Sequence, residues 1–134
     1  MNTNIKKVFI VIVGFVVGSI VNSGLITIGH QIIALPDGAN VSTYEKLKES
    51  MKMFTDKHYI FPFVAHALGT FVSAFIATKL NVEKTNKLAF IIGFIFLLGG
   101  ILNCFLLPAP VWFIFLDLLI AYLPMAYLGW KLGK

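Results

Sequence analysis

The stretch LAFIIGFIFLLGGILNCFLLPAP, Leu88–Pro110, decides the fold. Its first twenty residues, Leu88–Leu107, carry no charge, and Asn103 is their only strongly polar side chain. About 20 apolar residues wound as a helix cross a bilayer's hydrocarbon core. Pro108 and Pro110 then end the run, because proline cannot continue a helix ladder. Leu88–Leu107 therefore reads as a membrane span.

Working outward, three more stretches share its character. One covers about residues 8–35 behind Lys6 and Lys7, one about 59–80, and one about 111–132. Lysines before an apolar run suggest a signal peptide. The first stretch, however, is long for one and lacks a clean A-x-A site before Pro36, so it reads as an uncleaved span. Trp112 and Trp130 sit near the two ends of the fourth span, where an aromatic belt places them. The expectation is a single transmembrane domain over 1–134, an all-α four-helix bundle with one long loop at 36–58.

Composition agrees. Of 134 residues, 58% are hydrophobic and 13% charged, against about a quarter charged in soluble domains. A mean hydropathy of +0.88 cannot be hidden in a soluble fold this small. These values exclude a water-soluble enzyme, a nucleic-acid-binding module and a disordered tail. The net charge of +5 comes from lysines scattered among loops, without one arginine, and reads as membrane orientation. Seven lysines lie before span one, between spans two and three, and after span four; four lie in the 36–58 loop. That bias predicts cytoplasmic termini and an outer 36–58 loop, in a bacterial inner membrane.

The outer loop carries its own signal. Ser42-Thr43-Tyr44-Glu45 matches a capping box, and Tyr44, Leu47, Met51 and Phe54 recur at helical spacing. A short amphipathic helix is expected, on the membrane surface or over the bundle mouth. It serves as a packed connector or as a gate.

Placing polar residues on helix wheels gives each span one small-and-polar face. Span one offers Ser19, Asn22, Ser23, Thr27, His30 and Gln31, with Gly14 and Gly18 at the edge; span two offers His66, Thr70, Ser73 and Ala77. Asn103 shares a face with Gly93, Gly99 and Gly100 in span three, and Asp117, Ala121 and Pro124 align in span four. Small residues of this kind let membrane helices approach closely, and hydroxyls and amides bond across them. His30, His66, Asn103 and Asp117 all fall about 6 to 9 Å inside the outer boundary, at about 1.5 Å per residue. Four helices thus point strong polar groups at one level.

Asp117 is the only acid within any span, and a buried carboxylate is costly unless paired. His30 or His66 is the expected partner, with Asn103 and Gln31 adding hydrogen bonds. The candidate pocket is His30, Gln31, His66, Asn103 and Asp117, with Asn22, Ser23, Thr27 and Thr70 as secondary lining. The same pairing could equally lock the bundle. Two histidines and a carboxylate also suit zinc or iron, although no HxxH spacing puts two ligands on one turn. Pro124 removes a hydrogen bond to the Ile120 carbonyl and is expected to bend span four below Asp117. His58 is expected at the interface, solvated, and Cys104 in a packing role.

The stretch Phe61–Thr70, FPFVAHALGT, with Leu98–Asn103, LGGILN, resembles a group of small bacterial four-span membrane proteins without an assigned function. The resemblance covers nearly the whole chain and implies the fold, but no catalytic residues. Fluoride channels and small multidrug transporters match in size only; the latter keep a glutamate in the first span, which this chain lacks. No motif requires a cofactor. Three functions remain in play: an outward polar pocket that binds or passes a small polar ligand, ion or proton; an assembly subunit that meets a partner or a second copy through Gly14/Gly18 or Gly93/Gly100; and a membrane-embedded, metal-dependent enzyme.

Overall fold

The computed structural model describes residues 1–134; all its regular elements are helical, with no strand. In chain order the helices are α1 (Thr3–Ile32), α2 (Tyr44–Ser50), α3 (Ile60–Leu80), α4 (Lys87–Leu106), α5 (Val111–Ile120) and α6 (Leu123–Gly133). Two short 3-10 turns, Met51–Met53 and Asp56–Tyr59, join α2 to α3. Four helical segments are long and apolar enough to cross a membrane: α1, α3 with its preceding turn, α4, and α5 with α6 taken together.

α1 begins earlier than the hydropathy edge suggests. Asn2 caps it by accepting from the Asn4 amide at 2.9 Å, so Lys6 and Lys7 lie inside the helix. It also stops earlier, at Ile32, with Ile33 already extended ahead of Pro36. Lys7 reaches Glu83 at 2.8 Å and ties the start of α1 to the α3–α4 loop. The Lys7 ammonium holds the Glu83 carboxyl below the usual carboxylate range, through a hydrogen bond and its charge.

α3 is the middle of the bundle. α1 packs on one side of it, where Gly14 and Gly18 sit against Ser73 and Gly69. α6 packs on the other, where Gly129 meets Phe71 and Ala74, and Gly133 meets Thr78. α4 closes on α6 through Gly93 against Ala126, and Gly100 meets Tyr122 just ahead of α6. A β-carbon at Gly18 would collide with Ser73 Oγ and the Gly69 carbonyl, so these backbones touch only because side chains are missing. Gly14, Gly18, Gly93 and Gly100 thus all meet residues of the same chain, whereas Gly99 has open space around it.

Span four is broken where the sequence suggested a bend. α5 stops at Ile120, Ala121 and Tyr122 lie outside both helices, and Pro124 falls in the first turn of α6. Tyr122, with φ −112° and ψ −81°, carries the change of direction. Pro124 consequently is exposed and does not continue the Asp117 face.

The loop helix lies over the mouth of the bundle. Its cap is Thr43 rather than Ser42: the Thr43 hydroxyl accepts from the Lys46 amide at 3.2 Å. Ser50 ties it down, accepting from the Asn40 amide at 2.8 Å and donating to the Asn40 carbonyl at 2.9 Å. Met51 is buried with Tyr59 and Phe113, and Leu47 and Phe54 pack against them, whereas Tyr44 faces out.

Candidate functional site

Beneath that loop lies a cavity of about 330 Å³, between α1, α3, α4 and α5. Asn22, Ile26 and His30 line it from α1, Pro62 and His66 from α3, Gly100, Asn103 and Cys104 from α4, and Phe113, Ile114 and Asp117 from α5. Leu47, Met51, Phe54, His58 and Tyr59 belong to its roof.

Asp117 is buried and has two partners. His66 Nδ1 stands 2.8 Å from Oδ1, and the Tyr122 hydroxyl donates to Oδ2 at 2.8 Å. The same hydroxyl oxygen lies 3.3 Å from His66 Nδ1. One assignment of protons satisfies all three contacts. The tyrosine proton points to Asp117, and the Nδ1 proton is shared between Asp117 and the tyrosine oxygen. Nε2 of His66 then remains, and it makes no hydrogen bond to the protein although the residue lines the cavity. It is a bare acceptor when the ring is neutral.

Each part has a local cause. Thr70 donates to the His66 carbonyl at 2.8 Å, spending its hydroxyl within α3 rather than on the cavity. Tyr122 reaches Asp117 only through the break in span four, because residues five apart stand 140° around a regular helix. A wheel drawn on a continuous helix therefore misses Tyr122; Pro124 two residues later was the available signal. His58 is half-buried, not solvated. Its Nδ1 accepts from the Thr55 amide at 2.9 Å, which puts the proton on Nε2, 3.1 Å from the Ala34 carbonyl. It thereby stitches the roof to the segment that follows α1.

The expected lining is brought together in part. His30, His66, Asn103, Asp117 and Asn22 share the cavity, but only His66 and Asp117 are bonded to one another. Asn22 Oδ1 is buried without a partner. Gln31, Ser23 and Thr27 are exposed and do not line it. Their face lies beyond the arc that α3 and the cavity occupy, and the Thr27 hydroxyl bonds to the Ser23 carbonyl at 3.0 Å. No three histidine, cysteine or acidic side chains converge as a metal site, so His30, His66 and Asp117 share walls without sharing a point.

Fold and site together define a polytopic α-helical membrane protein with a polar cluster inside its bundle. No family model, curated protein or solved structure matches the chain.

Proposed function

We propose that the chain is a small-ligand-binding membrane protein whose site is the cavity under the loop helix. The supporting observation is that His66, whose Nδ1 is held by the buried Asp117 carboxylate, lines the cavity and leaves its Nε2 without a protein partner. The acceptor suits a proton, an ammonium group, an alcohol or a carboxylic acid; Asn22 and Asn103 offer further hydrogen bonds. Both termini and the α3–α4 loop face the cytoplasm of a bacterial cell in this reading, with the roof outside. The lysine distribution supports that orientation. The likeness to small bacterial four-span proteins belongs to the same reading.

The test is thermal unfolding in detergent, scanned against pH, divalent metals, and small amines, alcohols and carboxylic acids. A ligand that binds the folded state raises the melting temperature with its concentration. The wild type is expected to respond to at least one hydrogen-bonding solute, and His66→Phe to none. If nothing shifts the wild type and Asp117→Asn tracks it at every pH, the pair is a structural lock. The assembly reading would then take its place, using a face other than the occupied glycines.

A further inference from the structure

The cavity has a side. Near the termini α4 leans on α1: Ile92 packs with Ile10, and the Phe96 ring lies 5.0 Å from the Phe15 ring. Seven residues further on, the same face of α4 presents Gly99 and Asn103. Both are exposed, and a β-carbon at Gly99 would meet nothing within 4 Å. The two helices therefore part company towards the loop end, and the cavity fills the gap between Asn22, Ile26 and His30 on one side and Gly100, Asn103 and Cys104 on the other. On α1 the next positions round from that lining are Ser23 and Thr27, also exposed. The Thr27 hydroxyl is spent on the Ser23 carbonyl, whereas Asn22 Oδ1, on the α1 wall of the gap, is buried with no partner in the protein and is satisfied if a polar group reaches it. Above, Leu47, Met51 and Phe54 of the roof pack with Tyr59 and Phe113 beside His58, so most of the approach from water is apolar.

We infer that the ligand is a single-chain amphiphile that enters sideways from the leaflet on the loop-helix side. This rests on the reading of the cavity as a ligand site. Its polar head, an alcohol or a carboxylic acid, lies against His66 Nε2 with Asn22 and Asn103 beside it. Its chain follows the apolar wall of Ile26, Phe113 and Ile114 and leaves through the slot.

The experiment is photo-crosslinking in phospholipid vesicles with a diazirine-bearing dodecanoic acid, mapped by peptide mass spectrometry. Label is expected on Ile26, Cys104 and Ile114, competed by unlabelled dodecanoic acid. Gly99→Phe fills the slot where there is room for a side chain, so the fold survives, and the label should fall at least tenfold. His66→Phe should lower it too. Even labelling over Phe94, Leu98 and Phe105, unchanged by Gly99→Phe, overturns the inference. So does a chain-to-chain disulfide formed by Asn103→Cys in a Cys104→Ala background, which would put a second copy in the slot. If small water-soluble solutes still raise the melting temperature through His66 while the fatty acid does not label, the pocket stands and the sideways route fails. If neither responds, both fail.

Discussion

The two halves of the bundle solve opposite problems with similar residues. At the termini end, Gly14, Gly18, Ala77, Ala89 and Gly93 bring backbones into contact and leave no space. At the loop end, Gly99 has open space around it, and His66, Asn103 and Asp117 line a cavity rather than filling it. A glycine in a membrane helix is thus not by itself a contact. Its partner helix must be near enough to use it. The termini half keeps the helices together, and the loop half is free to carry a function.

Gly18→Leu should produce the largest effect, because the new side chain enters Ser73 and the Gly69 backbone. Overpacking of this kind costs about 3 kcal/mol or more, and folded protein should be lost on gel filtration in detergent. Gly99→Ala is its counterpart at the loop end and should change stability by less than about 1 kcal/mol. Equal effects would erase the distinction between the halves.

Next in size is Asp117→Leu, which strands the His66 and Tyr122 donors and should cost about 3 kcal/mol by thermal or denaturant unfolding. Asp117→Asn should cost far less, since its amide can pair with both neighbours once His66 changes tautomer. That change moves the ring proton to Nε2 and turns the cavity's acceptor into a donor. Asparagine should therefore keep the fold and alter ligand preference. Tyr122→Phe removes one bond to Asp117 and should cost about 1 kcal/mol. A Tyr122→Phe loss as large as that of Asp117→Leu would make the hydroxyl, not the carboxylate, the centre of the trio.

The smallest effect is expected at Lys7–Glu83. Glu83 has its pKa lowered by Lys7, so the pair's contribution is present above the ordinary carboxylate range and fades as pH falls through the depressed value. Lys7→Ala should lower the melting temperature slightly at neutral pH and not at all in strong acid.

The spans were legible because length and apolarity are local properties, as Leu88–Leu107 shows without any neighbour. The His66–Asp117 pair was half legible. Burial forces Asp117 to find a partner, but choosing between His30 and His66 needed helix positions that wheels do not contain. Tyr122 was hidden by treating span four as continuous. Ser23, Thr27 and Gln31 were assigned to the pocket because a polar face was taken to point inward. α1 turns them outward, since its glycines fix which edge meets α3.

Histidine nitrogen NMR in bilayers tests the central claim most directly. With uniformly ¹⁵N-labelled histidine, assigned by His66→Phe, the His66 ring should carry its proton on Nδ1, with Nε2 bare. Titration with dodecanoic acid should move the Nε2 resonance and leave the Nδ1 proton in place. A His66 ring with the proton on Nε2 and Nδ1 bare, or one whose two nitrogens ignore the added ligand, would contradict the account.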